Sequence, residues 1–440
     1  MLYPPGPRGL AAYGFLGRGS LSKTLGFLER TARQYGPISC FRVLHQRIYL
    51  IDDPELIKEV LVTRQHDFTR DTGATLLREV VGDAMITRDE PEHKERRRIL
   101  QPAFHREQIE GYATTMAAEC DVAVQRWAEQ PALDLAPEMR RLTLAIVGAA
   151  LFDAEFHHSA EQVAEILRNI LLRARRVAPF LALLQPFAKA YRRHRPDAPS
   201  LLFRKERRQL EAILDPVIAN RRRANGKDII SLLLATGELR DEAIRNEVVT
   251  FVLAGHETTA SALTWAFYLI AKHPEVRQRL EAEVDSAVDY SQLPYTARVF
   301  QEAMRLYPPA AAYGRKAIRP VELGGYTIPA GSSVILSPYV THRNPLNFPN
   351  PEDFNPDRWL NNDARKFAYF PFGGGAKMCI GDQFAKMEGV IAIAATVRQL
   401  RFSLTDTDAP SPGEGITLQP SKPIILAVEL RSSKPRPGAV

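Results

Sequence analysis

The sequence of 440 residues is poor in cysteine and lacks any long apolar run. Its three cysteines, Cys40, Cys120 and Cys379, are odd in number and widely spaced, which argues against a disulfide framework and favours a reducing compartment. The most apolar stretch, LTLAIVGAALF (142–152), falls well short of the ~20 residues that a membrane span needs. The chain opens with MLYPPGPRGL, which does not resemble a secretory signal, so we expect a soluble, cytoplasmic monomer; an anchor ahead of the PPGP stretch stays an open alternative.

Repeats, low-complexity tracts, zinc-finger spacings and basic helix-turn-helix patterns are also missing. The formal net charge is +7, a balance that suits nucleic acid, a membrane surface, an acidic protein partner or simply a mildly basic soluble protein. Without a nucleic-acid motif we expect no nucleic-acid partner. Hydrophobic residues make up 45% and charged residues 25%, which is the composition of a globular protein that can bury a large core and a sizeable ligand.

Apolar periodicity predicts a mainly α chain with a minor β region. ISCFRVLHQRIYLID (38–52) is typical of two short strands around a turn. Helical spacing dominates from about residue 91 to 288, and the longest helix is predicted from about Asp241 to Lys272, where His273 and a following proline end it.

Two more helices are predicted at about 295–307 and 383–400, on either side of a strand-and-turn region. No linker divides the chain, so we expect one domain, 1–440. Its parts would be a β-rich N-terminal part, a helical body, and a last part with sheet, cysteine loop and final helix, at about 1–65, 66–310 and 311–440.

The stretch FPFGGGAKMCIGDQFA (370–385) places Cys379 behind three glycines and just before a helix. A thiolate there is stabilised by the N–H groups and dipole of the helix, and the glycines let the backbone approach a flat or bulky partner. A lone cysteine cannot form a four-ligand zinc site, and no His/Asn constellation marks a nucleophile. The axial thiolate of a haem and an inert buried thiol both stay open.

Over essentially its whole length the sequence resembles the cytochrome P-450 family, the haem-thiolate monooxygenases. The haem loop of that family has Phe, two residues, Gly, three residues, Cys, one residue and Gly, which here are Phe372, Gly375, Cys379 and Gly381. Three further motifs follow the family's order: AGHETTA (254–260), EAMR (302–305) and FNPDRW (354–359). The resemblance implies the cytochrome P-450 fold of a bacterial member. Haem b (iron protoporphyrin IX) would lie between the long central helix and the cysteine loop-helix, with Cys379 as axial thiolate.

The acid and arginines of two motifs have a structural role in the family. Glu302 and Arg305 lie three apart on one helical face, where an exposed pair would contribute only a few tenths of a kcal/mol. The resemblance instead implies a buried ionic network of Glu302, Arg305 and Arg358 behind the haem loop. Removing one partner should then cost ~3–5 kcal/mol and prevent haem incorporation.

Glu257 and Thr258 are polar residues in the apolar run of the longest helix. Glu257 could simply be a solvated acid, and the Thr258 hydroxyl could bond back to its own helix. The apolar flanks, however, predict a buried helix, where a carboxylate is costly without a function. In the family, the alcohol at Thr258 hydrogen-bonds the oxygen that is activated, and the acid at Glu257 helps to deliver protons. Ala254 and Gly255 are small enough to admit a planar cofactor.

Cations are needed for the haem propionates. The resemblance assigns His93, Arg97 and Arg315 to them, and Lys377 stands where the family usually has Arg or His, so we expect slightly looser haem retention. His342 is expected, less firmly, at the haem edge; each of these residues could also be an ordinary surface charge. The expected haem contacts are His93, Arg97, Ala254, Gly255, Arg315, Phe372, Gly373, Gly375, Lys377, Cys379 and Gly381.

Apolar variable segments predict a pocket for a fatty acid, terpenoid or other lipophile, although the same residues could be core. The candidates are Leu76, Leu77, Met85, Ile86, Phe180, Phe251, Ala310, Ala311 and Ile416. The basic and apolar stretch 173–195 could rest on a membrane surface, but we favour a solvated helix pair.

Electrons must come from outside, because only about 40 residues follow the final helix and no flavin or nicotinamide domain is evident. An acidic ferredoxin, flavodoxin or reductase would dock on basic residues beside the cysteine. Those residues are Lys94, Arg96, Arg98, Lys366 and Lys386.

The function expected from the resemblance is a monooxygenase that inserts one atom of O2 into a lipophilic substrate. A peroxide-driven haem-thiolate enzyme and a non-catalytic haem sensor or carrier are the alternatives. Glu257 and Thr258 argue against both, because family members that rearrange peroxides tend to lack this pair.

Overall fold

The computed structural model describes residues 3–19, 21–43, 46–152, 159–170, 173, 203–223, 228–361, 365–406, 408–413, 415 and 417–431. The chain forms two compact units. The first comprises Met1–Thr69, Arg106–Ile146 and His256–Val440, and the second comprises Arg70–His105 and Val147–Gly255. The expectation of a single domain stays a prediction.

Helices dominate the described residues, as the periodicity predicts. They are α1 (Leu21–Tyr35), α2 (Pro54–Lys58), α3 (Thr72–Val81), α4 (Glu92–Leu100), α5 (Arg106–Ala128), α6 (Leu135–Val147), α7 (Arg204–Arg221), α8 (Ile229–Ala235), α9 (Asp241–Lys272), α10 (Pro274–Ser286), α11 (Pro294–Leu306), α12 (Pro338–Thr341) and α13 (Asp382–Gln399). Residues 159–170 are also helical. Short 3-10 or π segments lie at Gly9–Gly19, Glu59–Thr63, Gln65–Asp67, Met85–Thr87, Gln101–Phe104, Gly148–Phe152, Tyr290–Gln292, Pro356–Trp359 and Gly375–Lys377.

The strands form three small sheets. They are β1 (Ile38–Val43), β2 (Gln46–Ile51), β3 (Phe68–Arg70), β4 (Ala132–Asp134), β5 (Tyr313–Ala317), β6 (Val321–Leu323), β7 (Tyr326–Ile328), β8 (Ser333–Leu336), β9 (Leu400–Leu404) and β10 (Ile425–Leu430). The largest sheet has the order β1-β2-β8-β5-β3, and the others are β4-β10-β9 and β6-β7. In the largest sheet β5 runs antiparallel to β8, with Arg315 opposite Val334, which fixes where Tyr313 and Arg315 lie.

A buried core supports the sheet and the cysteine helix in the first unit. Tyr49 and Ile51 of β2 and Leu336 of β8 belong to this core and are each 0% exposed. α5 packs along α13, where the rings of Tyr112 and Phe384 meet edge to face with centroids 5.8 Å apart. The helix that follows Cys379 is therefore held by apolar contacts along its length.

The long helix α9 has the bounds expected from the sequence, and α10 begins at Pro274 directly after it. In its C-terminal half Trp265 stacks on Tyr307 with centroids 3.8 Å apart. The Trp265 Nε1–H and the Ser261 hydroxyl both donate to the Leu418 carbonyl, at 2.5 and 2.9 Å. These contacts fix this half of α9 within the first unit.

The expectation of a β-rich N-terminal part is wrong. Residues up to 65 carry β1 and β2, but α1, α2 and the segments Gly9–Gly19 and Glu59–Thr63 account for more of them. β3 and β4 lie inside the part that was expected to be helical. Among the described residues, no helix is both long and apolar enough to cross a membrane.

Candidate active site

The cysteine loop is shaped by a tight backbone path. Gly375 has φ +68, and a Cβ at this position would overlap the carbonyl oxygen of Leu61. The N–H of Cys379 donates to the Phe372 carbonyl at 3.0 Å, so the chain returns on itself before α13 starts at Asp382. The Cys379 residue is exposed, at the end of this return.

Tyr313 supports the same loop and was not singled out from the sequence as a separate residue. Its hydroxyl donates to the Pro371 carbonyl, and burial raises the pKa of its phenol, with Cys379 adding to the rise. The stretch AAAYG contains this tyrosine, but only the register of β5 shows that it reaches the loop.

Behind the loop, Glu302 of α11 accepts five hydrogen bonds. Arg305 donates to it from Nε and Nη2 at 2.9 Å each, and Arg358 donates from Nε at 2.8 Å. The Nε1–H of Trp359 and the backbone N–H of Asn355 complete the set at 2.9 and 3.1 Å. Glu302 and Arg305 are both 0% exposed, so the pair lies in the interior.

Arg305 has no unused donor. Besides its two bonds to Glu302, it donates to the carbonyls of His342, Pro351 and Asp353 at 2.8, 2.7 and 3.0 Å. A guanidinium has five N–H groups, and all five have acceptors here. The arginine thereby ties α11 to the loop that leads into the haem-loop motif.

His342 has both ring nitrogens engaged within the protein, which does not favour the expected place at a haem edge. Its Nε2 accepts from the Phe370 N–H at 3.0 Å and its Nδ1 lies 3.2 Å from the Arg305 carbonyl, so it belongs to the buried network. Burial, together with the charge of Arg305, lowers the pKa of this imidazole well below its ordinary value. The neutral ring therefore bridges α11 and the loop.

The centre of α9 has one break in its burial. Between Glu247 and Ala271 every residue is buried except four half-buried ones, Ala254, Gly255, Glu257 and Thr258. Residues at spacings of three and four share one helical face, so the small pair and the threonine lie close along the helix. Glu257 is less buried than its flanks suggest, with a side chain 19% exposed.

His256 lies between these half-buried residues and is itself buried, at 4% exposure. Its Nε2 lies 3.5 Å from Oε1 of Glu257. The hydroxyl of Thr143, in α6, lies 3.0 Å from the His256 carbonyl and 3.0 Å from its own helix's Met139 carbonyl. Thr143 was missed in the sequence, because only the packing of the two helices brings it to α9.

Comparisons with known proteins identify the family of this chain. The family model for cytochrome P450 matches residues 4–428. The chain belongs to the cytochrome P-450 family. Cyclooctatin synthase of Streptomyces melanosporofaciens is 35% identical, over 94% of this chain and 92% of that protein. Pentalenene oxygenase of Streptomyces avermitilis is 32% identical, over 84% and 85%. The crystal structure of the cytochrome P450DA haem domain has a TM-score of 0.82 at 27% identity, over 98% of each chain.

A cytochrome P-450 uses haem with a cysteine thiolate as axial ligand, and the cysteines of this chain fit that group. Cys120 is buried, and burial raises the pKa of its thiol well above the ordinary value. Burial also raises the pKa of Cys40, on β1. Cys379 alone of the three is exposed. The donor chemistry and the glycine cradle therefore both suit a haem at Cys379.

The expected propionate cations lie in both units. In the second unit, α4 carries His93, which is buried with Nδ1 3.1 Å from Glu90, and one turn later the half-buried Arg97. In the first unit, Arg315 is half-buried on β5 and donates Nη1 to the Gly314 carbonyl at 2.9 Å, and Lys377 ends the short turn Gly375–Lys377. Their roles toward haem stay predictions.

The pocket candidates divide in the same way. In the second unit Leu77 and Ile86 are half-buried, Met85 is buried, and Phe251 stacks on Phe104 with centroids 5.6 Å apart. In the first unit Ala310 is half-buried, whereas Ala311 lies in a buried cluster with Leu25 and Leu418. The side chain of Leu76, residues Phe180 and Ile416, and most of the stretch 173–195 lie outside the described residues.

Proposed function

We propose that this cytochrome P-450 hydroxylates a lipophilic terpenoid, with electrons from an external donor. The overall reaction is RH + O2 + 2 electrons + 2 H⁺ → ROH + H2O. The observation that carries the proposal is the exposed Cys379 at the end of a glycine cradle, in a chain whose relatives include pentalenene oxygenase and cyclooctatin synthase. Bound haem would supply the activation of oxygen and the transfer of one atom into a C–H bond.

Cys379 is the proposed axial thiolate. The backbone path of the loop fixes the position of Cys379. Gly375 leaves no room for a side chain beside Leu61, and the Cys379 N–H donates to the Phe372 carbonyl. Tyr313 and His342 hold the chain before the loop through Pro371 and Phe370. Phe372, Gly373 and Gly381 are the further proposed haem contacts of the loop, and Ala254 and Gly255 are those proposed from α9.

Thr258 and Glu257 are the proposed proton-handling residues. Thr258 would hold a hydrogen bond to the reacting oxygen, while Glu257, partly open to solvent, would pass protons inward. The Nε2 of His256 lies 3.5 Å from the Glu257 carboxylate, and it is the group beside the proposed proton donor in this stretch of α9.

His93, Arg97, Arg315 and Lys377 are the proposed partners of the propionates. Lysine acts as a point charge rather than a bidentate fork, so Lys377 would hold a propionate less specifically than arginine does. For the electron donor, Lys94, Arg98 and Lys366 are exposed, and Lys386 pairs with Asp382 at 3.0 Å. Arg96 does not belong to this set, because its side chain is only 11% exposed and lies 3.9 Å from the buried Glu247.

The absorption spectrum of the reduced protein under carbon monoxide tests the ligand. We expect a strongly red-shifted Soret band in the wild type and its loss in Cys379→Ser. Cys120→Ser is the matched control and should keep the band. An ordinary haem-carbonyl spectrum in the wild type would mean a ligand other than thiolate and would overturn the proposal.

Turnover separates the candidate activities. The protein is incubated with pentalenene or dodecanoic acid, and with either NADPH, ferredoxin and its reductase or hydrogen peroxide. We expect an alcohol from the terpenoid with the reductase system. Product with peroxide alone would favour the peroxide-driven alternative, conversion of the fatty acid alone would refute the terpenoid assignment, and no product from either would favour a sensor.

Two substitutions test the proton path. Glu257→Gln should lower the rate of product formation by about 100-fold, and Thr258→Ala should lower the yield of product per NADPH consumed. Glu242→Gln, which changes an exposed acid in the first turn of the same helix, is the control and should change neither quantity. If all three variants had the wild-type rate and the wild-type yield of product per NADPH, Glu257 and Thr258 would be removed from the mechanism.

A further inference from the structure

A short segment of the second unit, Gly82–Thr87, has its own internal hydrogen bonds. The Ala84 N–H donates to the Thr87 hydroxyl at 3.0 Å, and that hydroxyl lies 3.0 Å from the Gly82 carbonyl. Gly82 has φ +77, and a Cβ there would overlap the amide of Asn246 in α9. The segment is therefore a preformed turn that lies directly against the N-terminal half of α9.

One side chain of α9 binds this turn. Glu247 is 0% exposed, and its Oε1 accepts the backbone N–H of Met85 at 2.8 Å. In the described part of the chain its Oε2 has no hydrogen-bond partner. A buried carboxylate with a single donor is costly unless it does something that an apolar residue could not.

The charges that face Glu247 come from the turn and from α4. Arg96 lies closest, with Nε 3.9 Å from Oε1 but no hydrogen bond, and Arg88 adds a second positive charge. Asp83 opposes them and itself pairs with Arg88. Burial is the largest effect and raises the pKa of Glu247 to about 7, against the Met85 N–H and the two arginines.

Glu247 also lies one turn from a proposed substrate contact. Phe251 is four residues further along α9, so both side chains share a face of the helix. Phe251 stacks on Phe104. Met85 and Ile86 belong to the turn that Glu247 binds. The carboxylate thus joins two sets of proposed pocket residues by a single backbone hydrogen bond.

We propose that Glu247 is a positioning residue for the substrate, which holds the turn Gly82–Thr87 against α9 through the N–H of Met85 and loosens it when protonated. The inference rests on the proposed function in so far as Met85, Ile86 and Phe251 contact substrate. An ionised acceptor binds an N–H more strongly than a neutral one, so the turn is held more firmly above neutral pH than below it.

Amide exchange tests the contact without reference to haem. Hydrogen–deuterium exchange of the peptide that contains Met85 is measured for the wild type, Glu247→Gln, Glu247→Ala and the control Glu242→Gln. We expect this peptide to exchange faster in Glu247→Ala than in the wild type. Relative to Glu247→Gln, which cannot ionise, the protection of the wild-type peptide should rise from pH 6 to pH 8. Equal protection in Glu247→Ala and the wild type would overturn the proposal.

Two azoles test the effect on the pocket. Imidazole is a small ligand for haem iron, whereas 1-dodecylimidazole adds an apolar chain that would contact Met85 and Ile86 if they line the substrate pocket. Both carry the same ring, so the titration of the ring largely cancels in the ratio of their Kd values. We expect this ratio to change about fivefold between pH 6 and pH 8 in the wild type and in Glu242→Gln, and to stay constant in Glu247→Gln.

The two failures are distinguishable. If imidazole does not shift the Soret band of the wild type, or the carbon monoxide spectrum is not that of a thiolate, the proposed function fails, while amide exchange still decides the role of Glu247. If both azoles bind and their ratio is the same at every pH in the wild type and in Glu247→Gln, the positioning role is refuted and the proposed function stands.

Discussion

Replacing Glu302 by glutamine is expected to lower the unfolding free energy by about 3–5 kcal/mol and to prevent stable haem incorporation. Glutamine has nearly the same shape, so the loss comes from charge and hydrogen bonding rather than from a cavity. Oε1 of Glu302 accepts from Arg305, Arg358 and the Asn355 N–H, and Oε2 accepts from Arg305 and Trp359. One of these two oxygens would become an NH2 group.

The less costly orientation turns the amide nitrogen toward the two donors on Oε2. The Nε–H of Arg305 and the Nε1–H of Trp359 would then face another donor in the interior, and each buried unpaired donor costs about 1–3 kcal/mol. Arg305 itself is 0% exposed and would lose its only carboxylate partner in the described network. Breaking a buried ion pair in this way lowers the unfolding free energy by about 3–5 kcal/mol. Against a total stability of roughly 5–15 kcal/mol, either figure is large.

The assay is urea unfolding of the haem-loaded protein followed by far-UV circular dichroism, together with the haem-to-protein ratio after purification. Asp357→Asn is the matched control. Asp357 lies next to Arg358 in sequence and makes a bidentate pair with Arg279 at 2.7 and 2.8 Å, but these side chains are 36% and 51% exposed. An exposed pair should contribute about 0–1 kcal/mol. If Glu302→Gln were no less stable than Asp357→Asn, the reasoning from burial would be refuted.

Three further predictions follow from single sites. Gly375→Ala should abolish haem retention because the added Cβ would meet the Leu61 carbonyl at a position with positive φ. Gly325→Ala is the control, at φ +80 with nothing within 4 Å of the added atom, and should retain haem. Equal haem-to-protein ratios in the two variants would refute this prediction. Burial raises the pKa of Asp52 to about 6. The contribution of protonated Asp52 to the unfolding free energy is therefore present near pH 4 and is lost as the pH rises through about 6. The unfolding free energy of Asp52→Asn, relative to that of the wild type, should therefore rise by up to about 3 kcal/mol by pH 7 and no further above it. Urea midpoints of the two proteins that stayed parallel from pH 5 to 8 would contradict this. Glu388→Gln should change the urea midpoint by far less than Glu302→Gln, and an equal loss would show that Glu388 is ionised.

The long helix and its end could be predicted because the information is local. Apolar residues recur at helical spacing through α9, and Pro274 cannot continue the helix. The same signal was present in α1, where the buried residues Leu25, Leu28 and Ala32 follow helical spacing. The strand pattern of 38–52 directly follows α1, so the expected β-rich character of the N-terminal part holds only for β1 and β2.

The partners of buried polar residues could not be predicted, because they come from distant parts of the chain. His342 looks like a surface cation in sequence, yet its two ring nitrogens meet residues 37 positions before it and 28 positions after it. Arg96 belongs to a basic run, HKERRR, but the turn of α4 directs it toward Glu247 while Arg98 stays exposed. A run of basic residues therefore does not indicate which of its members stay exposed; that depends on how the helix packs.

Three glutamates show why burial alone does not determine charge. Glu302, Glu247 and Glu388 are each 0% exposed. Glu302 has five donors, three of them N–H groups of the Arg305 and Arg358 guanidinium groups. Glu247 has one backbone donor and a pKa of about 7, and neither oxygen of Glu388 has a hydrogen-bond partner among the described residues. Burial raises the pKa of Glu388 well above its ordinary value, and the nearby Thr259 opposes this only in part. Apolar flanks in a sequence can identify all three as buried, but only the count of donors separates a structural ion from a neutral acid. Since Glu247 alone of the three lies between these limits, it is the one whose charge we expect to change near neutral pH.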